Sequence, residues 1–260
     1  MKRAYVDITE GQVHYRYEGA GEPLLLLHQV PASSDEYSLL IPYLAKSSRV
    51  LAMDTMGYGM SDFLPPRPAI ADYARCVKEF LAALGISKTN LFGHHTGASI
   101  AIEMAAAYPE AVDKLILSGC PLYAPEVREQ RRKLYPDPNI TADGAYIMEM
   151  WKSLQRWNPD APPEFWHKTM VAAMLPGAKR EYGHQAVFNY DEGKRLPLIK
   201  APTLILSARK DAFINLLDEV KKLIPRSRTG VVEGAGSMVA LVQPERLAEA
   251  ITDFIKTPGF

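Results

Sequence analysis

The stretch Gly93-His94-His95-Thr96-Gly97 decides how the rest of this chain is read. The apolar run Asn90-Leu91-Phe92 precedes it, and Ile100, Ala101, Met104, Ala105 and Tyr108 follow at helical spacing. A strand that turns sharply into a helix at His95 satisfies both patterns. Glycines on either side let the two elements approach closely, and the central side chain then sits on a strained turn with positive φ, which histidine tolerates better than most residues. The stretch therefore predicts a single imidazole presented at the end of a strand.

The same strand and helix rhythm extends in both directions. Tyr5 to Thr9 and Val13 to Tyr17 alternate around Glu10-Gly11-Gln12, the pattern of an antiparallel hairpin. Leu24-Leu25-Leu26-Leu27 is a continuous apolar run, as expected of a strand buried on both faces. Ser33-Ser34-Asp35 offers helix-starting chemistry, with Leu39, Leu40, Tyr43 and Leu44 as the apolar stripe of the helix it would start. Val50 to Met53 predicts the next strand, then a glycine-bearing loop from Asp54 to Asp62 and a helix from Ile70 to Leu84. Leu115 to Ser118, Pro202 to Ser207 and Thr229 to Val232 read as further strands, with helices over Phe213 to Ile224 and Gln243 to Lys256. Alternation of this kind implies an α/β fold with a mostly parallel, eight-stranded sheet flanked by helices.

Between residues 121 and 196 the rhythm stops. This stretch carries all three tryptophans, Trp151, Trp157 and Trp166, and helical patterns over Ile147 to Trp157 and Phe165 to Leu175. It predicts an inserted helical lid, so that residues 1–120 and 197–260 form the core and 121–196 the cap. Its tryptophans either pack the cap on itself or line a pocket beneath it.

Thirty basic residues balance thirty acidic ones, so no global field draws nucleic acid or an anionic membrane, and a small organic molecule is the expected partner of a monomer or homodimer. Cys76 and Cys120 lie in apolar-periodic segments and read as buried thiols in a reducing compartment. The first residues enter an alternating strand pattern without the apolar core of a signal peptide, which gives the expectation of a cytoplasmic protein. Metal and cofactor sites are not expected: there is no HxH or HExxH spacing, and Gly57-x-Gly59 lacks the rest of a dinucleotide fingerprint.

His28-Gln29-Val30-Pro31, the loop Asp54-x-x-Gly57-x-Gly59-x-Ser61-Asp62, the stretch Gly93 to Gly97, Asp211 after the penultimate strand and Gly234-Ala235-Gly236-Ser237-Met238 after the last one together resemble the α/β-hydrolase family. The resemblance covers nearly the whole chain outside the cap. It implies that Gly93 to Gly97 is the family's nucleophile elbow, Asp211 the acid of its Ser-His-Asp triad, and the loop at Ser237 the place of its histidine. Two residue types have changed places, because His95 stands where the family has serine and Ser237 where it has histidine. Serine-hydrolase chemistry is therefore not carried across.

Replacing an imidazole by the short Ser237 leaves room above the sheet into which His95 can reach, toward Ser237, Asp211 or a water between them. Asp211 would orient the ring and stabilise its imidazolium, making His95 a general base, while the backbone amides of Val30 and Thr96 stabilise an oxyanion. Gln29 adds an amide that either binds substrate or plugs that hole, and His184 and Trp151 are candidates from the cap. The reaction so described is hydrolysis, or a cofactor-free lyase or isomerase step, on a small, partly hydrophobic carbonyl or ester compound. The alternative is a catalytically inactive homologue that binds a small apolar ligand as sensor or carrier. His94 is expected to be a packing residue whose ring diverges from that of His95, Asp54 to pin the glycine loop, and His28 to hydrogen-bond the loop backbone.

Overall fold

The computed structural model describes residues 1–156 and 161–258 and, at 157, the backbone only, so the Trp157 side chain, expected either to pack or to line a pocket, lies outside the described residues. Eight strands form one sheet: β1 (Lys2–Ile8), β2 (Gly11–Glu18), β3 (Pro23–Leu27), β4 (Arg49–Met53), β5 (Thr89–His94), β6 (Val112–Ser118), β7 (Thr203–Ala208) and β8 (Ser227–Val232). Their order is β1-β2-β4-β3-β5-β6-β7-β8. β1 pairs antiparallel with β2, and β2 with β4, whereas every pair from β4 to β8 is parallel.

The period of two along the central strands sorts their side chains between two cores. Leu25 and Leu27 of β3, with Leu51, Leu91 and Leu117, face a cluster that includes Phe80, Ile100 and Met104. Leu24 and Leu26, with Val50, Phe92 and Ile116, face the opposite cluster of Tyr37, Leu40, Leu44 and Phe254. All four leucines of β3 have no accessible surface, and burying each contributes roughly 1.5–3 kcal/mol. That is why the run carries no alternation: both faces of β3 are interior.

The helices are α1 (Ile41–Leu44), α2 (Ile70–Ala83), α3 (Thr96–Ala107), α4 (Pro125–Leu134), α5 (Ala145–Trp157), α6 (Pro163–Met174), α7 (Tyr182–Phe188), α8 (Glu192–Arg195), α9 (Leu217–Leu223), α10 (Val239–Val242) and α11 (Pro244–Lys256). Two expected helices are shorter than predicted. Ser33 does act as a cap, its hydroxyl accepting from the Asp35 N–H, but the chain forms one 3₁₀ turn at Ser34–Tyr37 before the single turn of α1, and Leu39 points to solvent instead of joining the apolar stripe. Likewise Ile214–Leu216 is a 3₁₀ turn ahead of α9.

Among the described residues, five helices, α4 to α8, lie between β6 and β7 in the chain, and polar contacts tie them to the sheet-bearing part. The guanidinium of Arg195 makes two hydrogen bonds to Glu103, at 2.8 and 2.9 Å. Tyr58 in the glycine loop donates to the Arg180 carbonyl at 3.1 Å and accepts from the Gly183 N–H at 2.8 Å. No helix among the described residues is long and apolar enough to cross a membrane. Cys76 and Cys120 are free and buried.

Candidate active site

β5 ends at His94 and α3 begins at Thr96, leaving His95 as the N-cap residue with φ 50° and ψ −111°. The turn needs its glycines for close approach, not for their own flexibility: a Cβ on Gly93 would lie 2.2 Å from the Gly97 carbonyl oxygen, and one on Gly97 2.1 Å from that of Leu27. Backbone bonds hold the strained residue from both sides. The His95 N–H donates to Ser118 O at 3.0 Å, and the His95 carbonyl accepts from Ala98 and Ser99.

From this turn the His95 ring reaches Asp211 directly, Nε2 to Oδ2 at 2.8 Å. The ring passes over Gly119, which follows β6 with φ 57°; a Cβ there would lie 2.4 Å from His95 Cδ2 and 2.6 Å from Nε2. Phe213 meets the ring edge-on at 5.0 Å between centroids. The Asp211 side chain is 1% exposed and that of His95 18%. Burial works to raise the Asp211 carboxyl, but the bond and charge of His95, the charge of His94 and the Phe213 N–H outweigh it and hold the group below the ordinary carboxylate range. With Nε2 committed to the acid, Nδ1 is the nitrogen of His95 left without a partner among the described residues.

His94 corrects two expectations. Its ring does not diverge from that of His95: the centroids are 4.2 Å apart with planes tilted by 36°. It is also more than packing, because both nitrogens are engaged. Nε2 donates to Ser237 O at 2.7 Å, and Nδ1 faces both the hydroxyl and the carbonyl of Ser118, at 3.1 and 3.2 Å. Burial and then the neighbouring His95 push this ring below its ordinary value, against the opposing pull of Glu36, Asp211 and the Ser237 carbonyl.

Glu36, on the 3₁₀ turn after β3, was not singled out by the sequence. Its Oε1 is 3.8 Å from His94 Nε2 and accepts from Gln29 Nε2 at 3.1 Å, while Oε2 accepts from the Gln29 N–H at 3.4 Å. Burial pushes its carboxyl up to about 7 despite His94 and both Gln29 bonds. The Gln29 amide also donates to Ser237 O and Met238 Sδ, so its NH2 group serves the protein. Ser237 enters the network by its carbonyl alone; its hydroxyl bonds neither His95 nor any other described residue.

Val30 and Thr96 are both buried, and among the described residues neither backbone N–H has an acceptor. They follow the neighbouring parallel strands β3 and β5. His28 and Asp54 support this edge. His28 donates from Nδ1 to Gln29 O at 2.8 Å and accepts the Thr55 N–H at Nε2, consistent with a neutral ring whose burial lowers its proton affinity. Burial would raise the Asp54 carboxyl, but bonds from His14, Ser34 and Met60 bring it down to about 2. Asp54 thereby pins the glycine loop, and a Cβ on Gly59 would lie 2.1 Å from its carboxylate.

On α7, His184 bonds Glu181 at 2.6 Å, stacks on Phe188 and meets the Tyr135 ring, so it is half-buried in an aromatic group. Trp151 meets Trp166 edge-on at 6.0 Å, which joins α5 to α6. Among the described residues, neither makes a hydrogen bond, ion pair or ring contact with His95. Gly119 and Phe213 were also missed; a glycine immediately after the buried run Leu115 to Ser118 was the one available signal for a close approach.

The chain matches the alpha/beta hydrolase fold family over residues 22–244, and it belongs to that family. It is 30% identical over 282 residues to a 2-hydroxy-6-oxononadienedioate/2-hydroxy-6-oxononatrienedioate hydrolase of Paraburkholderia phymatum, covering 96% of this chain and 94% of that protein. It is 28% identical to a 2-hydroxy-6-oxo-6-phenylhexa-2,4-dienoate hydrolase of Comamonas testosteroni, over 84% of this chain and 81% of the relative. Among solved structures, a thermophilic esterase from Thermogutta terrifontis superposes with a TM-score of 0.81 at 25% identity, over 98% of both chains.

Proposed function

We propose that this protein is a cofactor-independent enzyme of the α/β-hydrolase fold in which His95 is a general base oriented by Asp211. The observation that carries the reading is the 2.8 Å bond from His95 Nε2 to a buried carboxylate, made by a side chain presented on the strained turn at the end of β5. Since Nε2 donates to Asp211, Nδ1 is the basic nitrogen. In the hydrolytic form of the reaction, Nδ1 takes a proton from water as the water oxygen bonds a substrate carbonyl carbon. The carbonyl electron pair moves to oxygen, where the Val30 and Thr96 amides hold it, and Asp211 stabilises the imidazolium. Collapse of the tetrahedral species expels the leaving group, which takes the proton back from Nδ1.

A lyase or isomerase step would use the same base on a substrate C–H or O–H, with the resulting enolate in the same amide cradle. The named relatives act on oxo acids, which supports a small carbonyl compound as the substrate class. In this reading the helices between β6 and β7 form a cap over residues 121–196, with His184 as a polar group and Trp151 as a wall residue held by Trp166, while Gln29 shapes the loop beside the oxyanion. Water attacking through His95 is preferred to attack by His95 itself, because an acyl-imidazole is labile.

The test is turnover of p-nitrophenyl acyl esters and of 2-hydroxy-6-oxo-dienoates by the purified protein. His95→Ala and Asp211→Asn should each lower kcat by about 10²–10⁴-fold. Turnover by His95→Ala within a few-fold of wild type would abandon the mechanism. A compound that raises Tm, is recovered unchanged and is turned over by neither protein would mark a binder instead.

A further inference from the structure

The adjoining imidazoles have a carboxylate at each end: Asp211 bonds His95 at 2.8 Å, and Glu36 lies 3.8 Å from His94. We propose that Glu36 is a positioning residue for His95, acting through His94 as the second counter-charge of a carboxylate–imidazole–imidazole–carboxylate chain that holds the proton His95 takes up. The proposal rests on the reading of His95 as the base, but its test does not require turnover.

Three features of the geometry carry it. First, rings 4.2 Å apart cannot both be charged cheaply inside a protein, so the proton content of one is coupled to that of the other. Second, His94 has partners for either charge state. When neutral, its Nδ1 accepts from the Ser118 hydroxyl; when protonated, the same nitrogen donates to the Ser118 carbonyl beside it. A residue used for packing alone would need only one of these. Third, Glu36 is itself fixed, with both its oxygens accepting from Gln29, so the counter-charge stands at a set distance from the pair.

The groups facing His94 come from every side of it. They are His95 on its own turn, Glu36 from the 3₁₀ turn, Asp211 from the loop after β7, Ser118 from β6, and the Ser237 carbonyl from the loop after β8. Among the described residues, Glu36 is the one carboxylate that reaches the pair from the His94 side. Above about pH 7, where Glu36 is ionised, removing its charge therefore weakens proton binding by the pair as a whole. The same carboxylate holds the Gln29 N–H, one residue before the Val30 amide, so the link between base and oxyanion donor runs through a single buried group.

The experiment is a proton NMR titration of the imidazole C–H resonances, assigned by His94→Asn and His95→Ala, in wild type, Glu36→Gln and Glu36→Asp from pH 5 to 9. In Glu36→Gln the first proton taken up by the two rings should bind at least threefold more weakly, and Glu36→Asp should recover part of the difference. Superimposable curves for wild type and Glu36→Gln would overturn the proposal, as would an identical loss in Glu36→Asp, which retains the charge. If Glu36→Gln does not fold, Glu36→Asp decides alone: drawing the carboxylate back by one methylene should weaken the first proton measurably, and curves superimposable on wild type reject the proposal. Loss of activity in His95→Ala bears on the mechanism above and not on this titration.

Discussion

His94 and His95 are consecutive residues with the same side chain, yet the fold gives them different chemistry. His94 is the last residue of β5, 2% exposed, with both nitrogens held by protein groups. His95, on the turn itself, is 18% exposed, with one nitrogen on a carboxylate and the other unpartnered among the described residues. What separates them is the single residue of positive φ at the turn, which redirects the chain between one Cβ and the next. A base needs a nitrogen that is both oriented and available, and His95 alone of the two meets both conditions.

The strongest way to break this contrast is to dislodge the exposed ring without touching it. Gly119→Ala places a methyl group where the His95 ring lies, at a backbone conformation that itself costs an alanine about 1–2 kcal/mol. Turnover should fall by roughly 10²-fold or more, toward that of His95→Ala, while the fold survives, as circular dichroism and Tm would show. Retention of full activity would mean that the Asp211 contact is dispensable.

A second experiment sharpens the buried side. The folded-state value of Glu36, about 7, lies above its ordinary 4.5, so the unfolded chain ionises first as pH rises. Both states are protonated well below 4.5, where the group costs nothing. Between 4.5 and about 7 the wild type should lose up to about 3 kcal/mol of stability, a slope that Glu36→Gln should lack. Urea unfolding at pH 4.5, 6 and 8 measures it, and parallel profiles for the two proteins would contradict the burial of an acid at this position. Asp211 has the opposite sign: its depressed value contributes stability above the ordinary Asp range, and that stability is lost as pH falls below about 4.

The smallest effect is expected at Ser237. Its carbonyl, not its hydroxyl, anchors His94 and Gln29, and alanine keeps the carbonyl. Ser237→Ala should change stability by less than about 0.5 kcal/mol and turnover by less than about threefold. A large loss, or labelling of Ser237 by a fluorophosphonate probe, would restore the hydroxyl to the chemistry and make His95 its base.

Much of the sheet was legible because local rules agree there. Four consecutive leucines can be buried on both faces only in a central strand, and the glycines of Gly93 to Gly97 state their own close approaches. The helix expected from Leu39 to Leu44 was not, because its pattern was read as one face when Leu39 faces water and Tyr37, one turn earlier, fills the core. At the site, Asp211 and His95 could be paired from motif order. Glu36 resembled an ordinary first-turn acid, as Asp and Glu commonly are near helix starts, and nothing local marked it as buried. The two histidines were expected to diverge because adjacent side chains on a regular strand do, and the turn breaks that regularity.

The sequence by itself determined the α/β alternation and the strand-to-helix turn that presents His95, with histidine at 95 and serine at 237. Those follow from periodicity, glycine placement and residue identity, all of which are local. Only the tertiary structure decided that His95 bridges to Asp211 over Gly119, that Ser237 contributes a carbonyl, and that a buried Glu36 stands behind His94. Each of these joins segments far apart in the chain, and their contacts are set by how the strand ends converge at one edge of the sheet, which no local pattern specifies.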